Sequence, residues 1–138
     1  MRDLGYFTFP AVAESLSAAR NCVRGVLQSQ DHANRELDIN IVVGEILQNV
    51  VRYGFQGGDD KGIFSLHFFM EDSQLEVVVI DNAPPSNPDG WDNAHRKPEE
   101  GGHGLTIVHA IAQSVHFEAL ENGNKAVLSF ALDDKPAS

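Results

Sequence analysis

The hydrophobic positions of this 138-residue chain change their spacing several times, and each change marks an element. Tyr6–Phe9 is a short aromatic and β-branched run stopped by Pro10, the pattern of an edge strand. From Ala11 to Gln30, Val12, Leu16, Ala19, Val23, Val26 and Leu27 recur at helical spacing. A polar connector follows over Asp31–Glu36. Ile39, Val42, Val43, Ile46, Val50 and Val51 then form a second helical stripe, with Asp38, Glu45, Asn49 and Arg52 towards another side. Gly54, Gly57 and Gly58 with Asp59 and Asp60 predict its end in a turn. Ile63–Met70 and Leu75–Ile80 predict two strands joined by the polar turn Glu71–Gln74, an antiparallel hairpin. Residues 81–104 hold most of the prolines and several glycines without any period. An irregular segment of that length in a small domain is usually functional. Leu105–Gln113 returns to helix and Val115–Leu120 to strand. Asn-Gly-Asn is a turn, Ala126–Leu132 a final strand, and residues 133–138 a tail.

This order predicts one α+β domain over residues 1–138. It is a two-layer sandwich with helices packed on one face of a mixed, mostly antiparallel sheet. The length suffices for one hydrophobic core, and 42% hydrophobic residues speak against disorder. Ten basic against twenty acidic residues give a formal charge of -10. Nucleic-acid phosphates and anionic lipid repel such a chain, so direct nucleic-acid and membrane binding are poor expectations. Backbone amides at a helix start can still bind phosphate locally. Cys22 is the single cysteine, which excludes an internal disulfide and a cysteine-based zinc cage. The N-terminal stretch lacks the apolar run of a signal peptide and no stretch approaches a membrane span, so the cytoplasm is the expected location.

Three features then fall in order. Glu45 and Asn49 stand four residues apart, on one helical face. Asp81 directly follows an apolar strand, and GGHGL at 101–105 opens a helix. Each alone fits a plainer use: a solvated helix side, a turn residue, a glycine hinge. Together they suit nucleotide chemistry. A carboxylate at a strand end accepts a hydrogen bond from an exocyclic amine such as that of adenine. Glycines before a helix let backbone N–H groups approach phosphates. Mg²⁺ prefers oxygen ligands and keeps several waters, so one amide oxygen plus phosphates suffices.

The set resembles the GHKL-type ATP-binding domain shared by histidine kinases, gyrases and Hsp90-like chaperones. It is most similar to the branch of anti-sigma factors and serine-protein kinases, and the match runs over nearly the whole chain. EILQNVVRYGF (45–55) resembles the box carrying Glu and Asn four apart. VVIDNAPPSNP (78–88) resembles the adenine box, and GGHGLTIV (101–108) the Gly-x-Gly-Leu box that ends an ATP lid, here about residues 82–104. The resemblance implies ATP and Mg²⁺ as cofactors, with Glu45 as general base and Asn49 coordinating Mg²⁺. It also implies Asp81 reading adenine beside Ala83, Gly102 and Gly104 shaping the phosphate cradle with His103 and Leu105, and Arg52 reaching a phosphate. The implied activity is serine/threonine kinase action on a small anti-anti-sigma (STAS-like) partner, with a sigma factor as a second partner. The alternative is a non-catalytic, nucleotide-gated module that sequesters a sigma factor. Relatives often dimerise, so a homodimer belongs among the expected assemblies.

The chain departs from its relatives in places. Ala83 replaces the glycine two residues after the aspartate, while Ser86 and Asn87 stand where phenylalanine and aspartate are frequent. Asn-Lys-Ala follows Gly123 where a threonine pair that helps hold adenine is frequent. Of six histidines only His95, His103 and His109 are loosely grouped, and they lack a carboxylate or cysteine partner at ligand spacing, which disfavours zinc.

Overall fold

The structure is a computed structural model and describes residues 1–54, 62–84 and 104–132. Its elements are β1 (Arg2–Pro10), α1 (Ser15–Ser29), α2 (Glu36–Asn49), β2 (Ile63–Glu71), β3 (Gln74–Asp81), α3 (Gly104–Ile111), β4 (Ser114–Leu120) and β5 (Gly123–Ala131). A 3₁₀ turn (Ala33–Arg35) leads into α2, and a π-helical turn (Val50–Gly54) prolongs it.

The five-stranded sheet has the order β1-β2-β3-β5-β4 and is antiparallel in every ladder. Alternation puts Phe64, Leu66, Phe68 and Met70 of β2, Leu75, Val77 and Val79 of β3, and Ala126, Leu128 and Phe130 of β5 on one buried face. Val23, Val26 and Leu27 of α1 and Ile39, Val42, Val43, Ile46 and Leu47 of α2 close over it. Each large side chain buried here contributes about 1.5–3 kcal/mol. Among the described residues, no helix covers the other face. One of its rows runs across all five strands through Tyr6, His67, Val78, Val127 and His116.

Some boundaries differ from the sequence expectation, and β5 begins at Gly123, inside the expected Asn-Gly-Asn turn and three residues before Ala126. β1 begins at Arg2 because an irregularity between Asp3 and Gly5, where Gly5 takes φ +142°, masks the alternation. α1 begins at Ser15 because residues 11–14 turn the chain. Ala11 N–H donates to the Gly62 carbonyl at 2.9 Å, and Ser15 N–H to that of Val12 at 2.9 Å.

The helices lie side by side. α1 touches β1, α3 touches β4, and α2 sits between them and packs against both. α2 starts at the sheet end marked by Ala131, whose carbonyl accepts a hydrogen bond from the Arg35 guanidinium. The opposite end of the sheet holds Pro10, Ile63, Asp81 and Asn124. α2 runs towards that end, because its continuation must reach Ile63 to begin β2. α3 runs the other way. Gln113 N–H, just past its C-terminus, donates to the Ser129 carbonyl at 2.7 Å, so Gly104 faces the Asp81 end.

Candidate nucleotide-binding site

Asn49, Asp81 and the first residues of α3, Gly104 and Leu105, therefore gather at one end of the molecule. The rotation of α2 decides where Glu45 and Asn49 stand. Its α1-facing side is marked by the Arg24–Glu36 pair at 3.0 Å and by Asn40 Nδ2 donating to the Arg20 carbonyl at 3.3 Å. At about 100° per residue, Glu45 and Asn49 fall about 140° and 180° round the helix from Asn40. That is the flank turned to α3. Both are half-buried, as residues lining a crevice between two helices would be. The regular helix ends at Asn49, and the π turn follows immediately. Such turns within helices recur at functional positions. Arg52 lies in that turn and is exposed.

Asp81 ends β3 on the same side as Val79 and Val77, under the helices, and is only 7% exposed. Its Oδ1 accepts two hydrogen bonds, from Ala83 N–H at 2.9 Å and from Asn124 Nδ2 at 3.1 Å. Oδ2 receives none among the described residues. Burial pushes the carboxyl above its ordinary value of 3.8, and those two donors oppose the shift. A buried carboxylate with one oxygen anchored and the other unclaimed suits an incoming amine donor. Ala83, 1% exposed, adds an apolar wall beside it. Asn82 holds the strand end from the edge: its Oδ1 accepts from Ile63 N–H at 2.8 Å, and its own N–H donates to the Ile63 carbonyl at 3.2 Å.

A separate cavity of about 220 Å³ opens on the other sheet face among Tyr6, Thr8, Ser65, Ile80 and Leu120. Ile63, Asp81 and Asn82 at the strand ends also line it.

Gly102 and His103, most of the expected 82–104 lid and the expected tail fall outside the described residues, as do Gly57, Gly58, Asp59 and Asp60 of the expected turn. Asn124 and Gly123 were missed as site residues. The resemblance marked their position only as a departure, where relatives frequently carry the threonine pair, and the β3–β5 register sets Asn124 directly opposite Asp81. Among the described residues, no helix is long and apolar enough to cross a membrane.

Residues 9–130 match the family model described as the histidine kinase-like ATPase domain. A serine-protein kinase RsbW from Listeria monocytogenes serotype 4a (strain HCC23) is 29% identical over 102 residues, which cover 73% of this chain and 61% of the relative. The chain thus spans less than two thirds of the curated relatives it matches. Among solved structures, the RsbU and RsbW domains of a Mycobacterium tuberculosis protein superpose with a TM-score of 0.65 at 18% identity, covering 93% of this chain and 31% of that one. The histidine kinase domain of the Erythrobacter litoralis EL346 blue-light activated histidine kinase gives 0.57 at 18% identity, covering 90% of this chain and 62% of that one. These structural likenesses concern the fold.

Proposed function

The chain belongs to the histidine kinase-like ATPase domain family, and we propose that it binds Mg-ATP and acts as an anti-sigma-type serine/threonine protein kinase on an anti-anti-sigma partner. One observation carries the reading: Asn49, Asp81 and the start of α3 share one end of the sheet, with Glu45 on the α3-facing flank of α2. The similarity to serine-protein kinases named RsbW supports the choice of reaction.

Bound ATP supplies the transferable γ-phosphoryl group and Mg²⁺ its charge neutralisation. The residues present fit these groups. Asp81 Oδ2 accepts from the adenine amine, and Ala83 packs beside the base. The first backbone N–H groups of α3 meet the phosphates, and the family likeness assigns Gly102 and His103 to the same cradle. Asn49 offers its carbonyl oxygen to the metal, and Arg52 neutralises phosphate charge. Glu45, one helical turn before Asn49, takes the proton of the attacking serine or threonine hydroxyl. Phosphoryl transfer asks chiefly for such positioning and charge compensation.

A protein substrate has a surface to rest on beside the base. Leu37 and Ile41 precede Glu45 at four-residue spacing on one ridge of α2 and are 73% and 38% exposed. A sigma factor is the second candidate partner, the cytoplasm is the expected setting, and a homodimer remains among the proposed assemblies.

The test is incubation of the chain with γ-labelled Mg-ATP and the anti-anti-sigma protein of the same genome. Wild type transfers label to serine or threonine, while Glu45→Ala binds nucleotide with transfer reduced by about 10²–10⁴-fold. Nucleotide binding by both without transfer by either would replace the kinase with the nucleotide-gated, sigma-sequestering module. No nucleotide binding by wild type would end both readings.

A further inference from the structure

We propose that Asn124 is a positioning residue for adenine recognition: its side-chain amide aims the Asp81 carboxylate and ties it to the chain leaving β3 at Ala83 and Pro84. The inference rests on the reading of Asp81 as the adenine acceptor and gives Asn124, a departure from the threonine pair frequent in relatives, a specific hold on that carboxylate and on Pro84.

The geometry is local. Asn124 faces Asp81 across the β3–β5 ladder. Its Nδ2 lies 3.1 Å from Asp81 Oδ1, 3.2 Å from the Pro84 carbonyl oxygen and 3.5 Å from that of Ala83. An amide nitrogen has two hydrogens. The two shorter contacts take one each, so a single group grips both the carboxylate and the backbone three residues beyond it. The Ala83 N–H bond to the same Oδ1 closes a side-chain turn over Asp81–Ala83. With two donors on Oδ1, the carboxylate is held in one rotation and Oδ2 is its outward acceptor.

Two consequences follow for chemistry. A fixed, ionised carboxylate accepts from an amine and repels a carbonyl oxygen, so it prefers adenine over guanine. A carboxyl released from Asn124 protonates more readily in its buried setting, and a protonated Oδ2 donates to that carbonyl oxygen. The balance at Asp81 is struck by burial against Asn124 and Ala83. β2 sets Phe64 opposite it, β5 carries Lys125 on the other sheet face, and the α2 segment carries Glu45 and Arg52.

Fluorescent ATP and GTP analogues titrated into the full chain between about pH 5 and pH 8 test this. Asn124→Leu, of similar size without a donor, should lose about tenfold in ATP affinity and shrink the ATP-over-GTP ratio. The acid limb of its binding curve should move to higher pH. Asn124→Thr, with one hydroxyl donor, should recover the limb and the ratio, while faster hydrogen exchange at Ala83 persists because Pro84 is no longer held. Folded Asn124→Leu with unchanged ratio and pH limb would overturn the proposal. Should that variant not fold, Asn124→Thr and Asn124→Ser carry the comparison, and exchange at Ala83 no faster than in wild type overturns it. Titration of Asp81 by carboxyl NMR in nucleotide-free protein separates the two readings. Wild type that binds no nucleotide sinks the parent reading, whereas an Asp81 titration unmoved by Asn124→Leu sinks this one.

Discussion

Gly123 brings β5 so close to the end of β3 that a Cβ placed on it would stand 2.0 Å from the Asp81 carbonyl oxygen. The same added atom would meet the Asp81 carbonyl carbon at 3.2 Å and the Asn82 Cα at 3.3 Å. All three are backbone atoms, which cannot swing aside as a side chain can. The close approach is what lets Asn124, the next residue, reach past Asp81 to Pro84.

Gly123→Ala must push the two strands apart, so we expect a loss of about 1–3 kcal/mol in urea unfolding together with weaker nucleotide binding. Gly25 is the control. It lies in α1 with nothing within 4 Å of an added Cβ, so Gly25→Ala should raise stability by about 0.5–1 kcal/mol and leave binding alone.

Asp81→Asn should separate stability from function. The Asn oxygen keeps both hydrogen bonds made to Oδ1, while the buried charge disappears. The folded Asp81 carboxyl is raised above 3.8, so its contribution to stability is full below that value and lost as pH rises through the raised one. Melting at neutral pH should therefore hold or rise in Asp81→Asn, and the gap to wild type should close in acid. ATP affinity, measured by calorimetry, should fall by about tenfold or more, since an amine donor now meets another amine donor.

Asn49→Ala should weaken nucleotide binding in Mg²⁺ by about tenfold, while binding in chelator stays near the wild-type value. Equal loss in both conditions would place Asn49 in packing instead of at the metal.

Much of this fold was legible because the helical stripes of α1 and α2 and the alternation of β2 and β3 are strong periodic signals. Ile39 through Val50 repeats at helical spacing, and Phe64, Leu66 and Phe68 alternate with less apolar partners, so element type followed from pattern. Boundaries were less legible where a local hydrogen bond overrode the pattern. Ala11 satisfies its N–H on Gly62 before α1 can begin, and Gly5 breaks the alternation of β1. Spacing and a strand end singled out Glu45, Asn49 and Asp81 as candidates, and the fold sets Asn49 and Asp81 at one end of the sheet. The stretch from Asn124 was legible only as a departure from the relatives' threonine pair, since its contact with Asp81 depends on a β3–β5 register between segments more than forty residues apart. No local pattern encodes such a pairing.

The irregular start of β1 bears on how these molecules keep apart. Among the described residues β1 pairs along one side only, with β2, and an unclaimed strand edge invites another chain to extend the sheet. Gly5 kinks that edge near its beginning, and Pro10 offers no N–H at its close. A would-be intruder finds an uninterrupted run only from Tyr6 to Phe9, too brief to zip against. Straightening the kink by replacing Gly5, whose added Cβ would also press on the Phe7 ring at 2.9 Å, would therefore trade a local clash for a stickier molecule.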